Sequence, residues 1–170
     1  DIPAAENPRQ KEYYQLPQNQ EPIIGIITDA EATSSSIEVL WKSEPLPKEF
    51  GNTVEGYMID LVKSYIYYIM QERFSDITSK PGAPFLGASL SVGRLCTTCE
   101  GVFANVSFKD GDAVNAFGAM MLEVEKMKRF GFTDGEVERA KTNIVSAYEK
   151  AAEAAGTRQN SQLVQPLINN

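Results

Sequence analysis

The twelve residues Phe130-Gly-Phe-Thr-Asp-Gly-Glu-Val-Glu-Arg-Ala-Lys141 allow the backbone few options. Lys126, Lys128 and Arg129 place positive charge where the last carbonyls of a helix lie unpaired. Gly131 can adopt the positive φ that ends such a helix. Thr133 offers its hydroxyl to the amides of a new first turn, and Glu136 can reach back to the Thr133 amide. Together they make a structural capping box. Asp134 and Glu136 add negative charge at the positive end of the second helix. Two helices joined by a tight corner are therefore predicted, a device that contains no chemistry of its own.

Upstream, the hydrophobic period changes twice. Residues 1–21 form a Pro-rich linker or arm: residues 1–22 hold four of the nine prolines, interspersed with Glu, Gln and Asn. Tyr13, Tyr14 and Leu16 are its candidate anchors onto a neighbour. Residues 22–170 are read as a single α+β domain. Ile23-Ile-Gly-Ile-Ile27 is a short β-branched run suited to a buried strand. Ile37, Val39 and Trp41 alternate with Glu38, Leu40 and Lys42 as a second strand, closed by Pro45 and Pro47. From about Asn52 the period becomes helical, with Met58, Leu61, Val62, Tyr65, Ile66, Ile69, Met70, Phe74 and Ile77 on one broad face. The stretch Lys80-Pro-Gly-Ala-Pro84 ends that helix. Phe85–Leu95 and Val102–Phe108 read as paired strands, with Cys96-Thr-Thr-Cys99 at the turn between them. Val102, Ala104, Val106 and Phe108 share one face of the second strand.

Downstream, Val114, Phe117, Met121, Leu122 and Val124 supply the apolar face of a helix ending near Phe130. Val137, Ala140, Ile144, Ala147, Tyr148 and Ala151 face inward from the next, and Leu163–Ile168 is a last short helix. The fold class predicted from this order is α+β: a largely antiparallel sheet with helices packed on one face.

Composition narrows the chemistry. The 170 residues contain no histidine, which removes Ser-His-Asp and Cys-His engines and any His-containing zinc site. Ser34-Ser-Ser36 therefore has no base to activate it and reads as a solvated loop. Sixteen basic against 23 acidic residues give a net charge of −7, which argues against nucleic acid as the partner. No apolar run approaches the ~18–20 residues that span a bilayer. Gly82, Gly87 and Gly93 are scattered and make no phosphate loop. Glu136, Glu138, Glu149 and Glu153 alternate with Arg139, Lys141 and Lys150, as on a solvated helix face.

Cys96 and Cys99 have a metal-like spacing but lack a second ligand pair. A local disulfide between Cys96 and Cys99, or two free thiols, is the reading preferred over a zinc half-site or a thioredoxin-like redox role. No catalytic, cofactor-binding or metal-ligating residue is assigned.

Four segments in order resemble the insulinase/pitrilysin family of zinc metallopeptidases. Phe130–Lys141 is similar to its "GFT-x-x-E-x-E-R-A-K" segment, and Glu21-Pro22 with Ile27-Thr-Asp-Ala-Glu-Ala-Thr33 to the opening of the second domain of bacterial members. Met70-Gln-Glu-Arg-Phe-Ser-Asp-Ile77 resembles the helix carrying "N-x-R-L-x-E-L", and Pro84-Phe-Leu-Gly-Ala88 the "P-F-x-x-A" strand entrance. The Cys96–Cys99 turn departs from that pattern. What the resemblance implies is a non-catalytic second domain of a longer peptidase, with zinc held in the preceding domain by an H-x-x-E-H motif absent here. Its implied partners are that catalytic domain and, in the parent, a peptide substrate; its implied setting is periplasmic or cell-surface. The chain opens at Asp1 with neither Met nor a secretory leader, which fits an excised piece. The alternative on the same fold is a catalytically degenerate interaction or scaffold module.

Overall fold

A computed structural model describes residues 9–10, 12–51, 53–109, 111–157, 160 and 164. Its principal elements are β1 (Ser35–Ser43), α1 (Val54–Thr78), β2 (Gly87–Cys96), β3 (Cys99–Phe108), α2 (Ala113–Phe130) and α3 (Asp134–Glu153). Single 3-10 turns occur at Lys48–Phe50 and Ala154–Thr157. The fold is α+β.

The strand order is β1-β3-β2, and both neighbours run antiparallel to β3. β1 and β2 are therefore parallel to each other, and a parallel pair requires a crossover rather than a hairpin. The 25-residue α1 supplies it. Thr53 starts this helix by accepting the Gly56 amide at 3.1 Å. β2 and β3 need only the two residues Thr97 and Thr98 between them. A register shift at Leu95, between Arg94 and Cys96, leaves Cys96 directly opposite Cys99.

Register explains which face is buried. Ile37, Val106 and Ala88 form one cross-strand row; Val39, Ala104 and Leu90 form the next; Trp41, Val102 and Val92 a third. Met70 and Phe74 of α1 and Ala116 and Met120 of α2 close over this face and, with Phe85 and Phe108, make the core. Phe74 meets Phe85 edge-on at 6.2 Å between ring centroids, a favoured aromatic geometry. At the centre of the sheet Gly101 is buried, and a Cβ there would lie 2.6 Å from both Leu40 Cδ1 and the Trp41 carbonyl oxygen. Close approach of β1 to β3 thus requires glycine at that position.

Several sequence expectations are corrected. Ile23–Ile27 is not a buried strand: it belongs to no sheet, and its four isoleucines are 83–97% exposed. A strand is defined by its partner, and five β-branched or glycine residues carry no information about whether one is available. Met58 and Val62 of α1 are exposed, whereas Ile69, Met70 and Phe74 farther along the helix are buried. In α2 the buried residues are Ala116 and Met120, whereas Val114 and Leu122 face outward. In α3 only Ala140 is buried; Val137, Ala147, Tyr148 and Ala151 are exposed. This helix packs along α1 rather than on the sheet. Apart from Val164, the predicted helix at Leu163–Ile168 lies outside the described residues.

Because Phe74 is 1% exposed at the junction of α1, β2 and β3, Phe74→Ala should cost about 3–5 kcal/mol in urea unfolding. Val62→Ala, on the uncovered side of the same helix, should change stability by less than about 1 kcal/mol. Equal losses for the two variants would contradict the packing described.

Candidate interaction surface

The corner between α2 and α3 is the most tightly determined polar feature. Gly131, at φ 68°, ends α2 with its amide donating to the Met127 carbonyl at 2.8 Å. Thr133 Oγ1 accepts the Glu136 amide at 3.3 Å, and Glu136 Oε2 accepts the Thr133 amide at 2.8 Å. The Thr133–Glu136 box is therefore reciprocal.

The Glu136 carboxylate also binds a residue that sequence reasoning did not single out, Arg73 of α1. Arg73 Nε donates to Glu136 Oε1 at 2.6 Å and Nη2 to Oε2 at 2.9 Å, a bidentate pairing. Nη2 also donates to the Gly131 carbonyl at 3.1 Å, and the guanidinium lies 5.2 Å from the Phe132 ring centroid. One signal was available: Arg73 sits between Met70 and Phe74 on the buried side of α1, where a cation needs a carboxylate partner. The two side chains are 18% and 14% exposed. The Arg73 hydrogen bond, aided by the Thr133 amide and hydroxyl and opposed by burial, lowers the Glu136 pKa from its ordinary 4.5 to about 2.

This pairing begins a polar seam between α1 and α3. Arg139 Nε lies 3.5 Å from Glu72 Oε2. Burial, followed by the neighbouring Glu72 carboxylate, raises the Tyr68 pKa. Farther along, the Tyr57 hydroxyl beside Tyr148 raises the Tyr148 pKa. Of the acidic residues flagged from sequence, Glu136 alone joins two elements through a short bidentate contact. Glu138 makes only an exposed ion pair with Lys141 at 3.8 Å.

At the other end of α1 a cleft of about 1200 Å³ opens between the arm, the first turns of the helix and the β2–β3 hairpin. Tyr13, Lys48, Phe50, Tyr57, Arg94 and Glu100 are among its lining residues. Lys48 Nζ sits 5.0 Å from the Tyr13 ring centroid, Thr98 Oγ1 donates to the Tyr14 carbonyl at 2.6 Å, and Lys42 Nζ donates to the Pro17 carbonyl at 2.6 Å. Lys63 bridges Asp60 at 3.4 Å and Glu100 at 3.6 Å. Opposite charges are thus interleaved along the cleft, which gives it no single sign with which to select an ion. Cys96 and Cys99 lie at the hairpin tip as free thiols, the first half-buried and the second buried.

Exposed apolar surface is extensive. Val54, Met58 and Val62 form an i, i+4, i+8 stripe on α1, each more than half exposed. Ile23–Ile27 adds a second apolar stretch. Among the described residues, no three Cys, Asp or Glu side chains converge as a metal site. No described helix is long and apolar enough to cross a membrane.

The fold is shared with a solved protein. The crystal structure of the periplasmic protease PqqL from Escherichia coli superposes with a TM-score of 0.72 at 16% identity, over 82% of this chain and 15% of that one. The structure of the first half of the same protease gives a TM-score of 0.70 at 17% identity, over 83% of this chain and 30% of that one. This chain thus spans less than a third of the length of either. No family model and no curated protein matches it by sequence.

Because Glu136 is depressed in the folded state, its contribution to stability is complete above pH 4.5 and is lost as the pH falls toward 2. The shift corresponds to about 3 kcal/mol at neutral pH. Glu136→Gln should lower stability at pH 7 by about 2–3 kcal/mol and flatten the acid limb of the stability–pH curve between pH 5 and 2. An unchanged acid limb in that variant would show that the pairing does not link α1 to α3 energetically.

Proposed function

We propose that this chain is a non-catalytic domain of a zinc metallopeptidase of the insulinase/pitrilysin type, packing on the catalytic domain and helping to enclose the chamber that holds a peptide substrate. The observation that carries this reading is the contact between two of the resembling segments. Arg73, in the Met70–Ile77 segment, grips Glu136 in the Phe130–Lys141 segment. A third segment, Pro84–Ala88, places Phe85 against Phe74. Segments matched independently in sequence therefore meet as one structural unit, and that unit shares the fold of part of a periplasmic protease.

The donor set of this chain does not suit zinc, since there is no histidine and no convergent group of acidic or thiol ligands among the described residues. The metal is assigned to a preceding domain, and the role left here is architectural. Exposed Val54, Met58 and Val62 on α1, with Ile23–Ile27, provide apolar area of the kind that a domain–domain contact buries. Relationship to a periplasmic protease in fold makes a periplasmic or cell-surface setting the natural assignment.

The test is a zinc-supplemented peptidase assay on this chain alone and mixed with the polypeptide encoded immediately upstream. The chain alone should be silent, and the mixture should hydrolyse peptide in a chelator-sensitive manner. Chelator-sensitive turnover by the purified chain alone would overturn the non-catalytic role. Binding of the two pieces without turnover would instead support the degenerate scaffold on the same fold.

A further inference from the structure

Cys96 and Cys99 occupy a position that sheet geometry prepares for a covalent link. They are the last cross-strand pair of the β2–β3 hairpin, directly opposite each other with only Thr97 and Thr98 between them. Directly opposed residues on antiparallel strands point to the same face, with Cα atoms about 4.5–5.5 Å apart. That span lies inside the range a disulfide bridges. Eight ladder pairs from Gly87↔Ser107 to Arg94↔Glu100 lead up to it, and the register shift at Leu95 brings Cys96 opposite Cys99, so the two strands are already held together at this end. The two sulfurs also differ in access. Cys99 is 4% exposed, and its thiol donates to the Glu100 carbonyl at 3.3 Å. Cys96 is half-buried, and its sulfur lies 3.5 Å from Thr98 Oγ1.

We propose that Cys96 and Cys99 form a reversible dithiol–disulfide site that reacts with a low-molecular-weight disulfide, with Cys96 as the attacking thiol and Cys99 as the resolving one. Cys96 loses its proton and its sulfur attacks one sulfur of the oxidant. The oxidant's S–S bond breaks, and one thiolate leaves and takes up a proton. Cys99 then loses its proton and attacks Cys96 Sγ in the mixed disulfide. The Cys96–Cys99 bond forms and the second thiolate leaves to be protonated. Two protein thiols are oxidised, and one external disulfide is reduced to two thiols.

Local hydrogen bonding agrees with this order of events. The Thr98 hydroxyl, and then the Thr98 and Cys99 amides, draw the Cys96 thiol pKa below its ordinary value. Thr98 has a second claim on its one hydroxyl proton, the Tyr14 carbonyl at 2.6 Å. The attacking sulfur needs access, whereas the resolving sulfur only has to reach its neighbour. That explains why a buried Cys99 is compatible with the site. The proposal concerns residues of this chain alone and does not depend on the peptidase reading.

The experiment equilibrates the full 170-residue chain with mixtures of reduced and oxidised glutathione, blocks free thiols, and reads intact mass and peptide maps. The expected product has lost two hydrogens, its count of free thiols falls from two to zero, and the map links Cys96 to Cys99 with no glutathione retained. Cys99→Ser should retain glutathione on Cys96, whereas Cys96→Ser should leave Cys99 unmodified over the same period. A wild-type chain that accumulates glutathione on Cys96 while Cys99 stays free would overturn the proposal. Faster modification of Cys96→Ser than of Cys99→Ser would overturn the assignment of roles. Wild-type mapping does not depend on either variant folding.

Discussion

The bidentate contact between Arg73 and Glu136 is the interaction on which the helical layer depends. One carboxylate performs two tasks. It caps the amide that starts α3, and it neutralises a guanidinium reaching across from α1. Arg73 is likewise divided, since it also takes the Gly131 carbonyl left at the end of α2. Three helices therefore meet at a single ion pair, with both carboxylate oxygens and two of the three guanidinium nitrogens engaged. Partly buried charges are tolerable only under such conditions, because the desolvation that opposes them is offset by close, directional bonds. The Glu136 carboxyl, held near 2, records how far the site favours the charged form.

The sheet beneath follows a simpler logic. With β3 in the centre and two parallel strands flanking it, α1 must cross over, and its length exceeds that of the strands it connects. Gly101 and the small side chains of Ala88 and Ala104 let the strands and helices approach closely, and larger residues such as Phe74, Met70 and Met120 fill the space above them. The core is thus well packed where the helices cover it and bare elsewhere, an uneven distribution that suits a unit embedded among neighbours.

Charged and reactive groups are likewise spread out among the described residues. Interleaved charges line the cleft, the acidic residues of α3 are either capped or solvated, and the thiols sit together at a hairpin tip away from the corner. The fold is shared with part of a periplasmic protease at 16–17% identity, and the sequence contains no histidine.

Local physics was legible in the amino-acid order. Capping at Thr133 and Glu136, the positive φ at Gly131, the two-residue turn between Cys96 and Cys99, and the alternation of Val102, Ala104, Val106 and Phe108 all depend on residues within a few positions of one another. Each interaction closes over a short loop, so the sequence alone determines it. Periodicity also located α1, α2 and α3, but not the half of each that is covered. Whether Val114 or Ala116, and Tyr148 or Ala140, faces inward depends on where the next layer lies. Ile23–Ile27 shows the same limit from the other side: strong strand propensity, but no partner in the sheet. Arg73 shows it most sharply, since its carboxylate lies 63 residues away and becomes its neighbour only when α1 and α3 pack. Tertiary structure decided these points because burial and ion pairing are properties of juxtaposed surfaces, which no single segment contains.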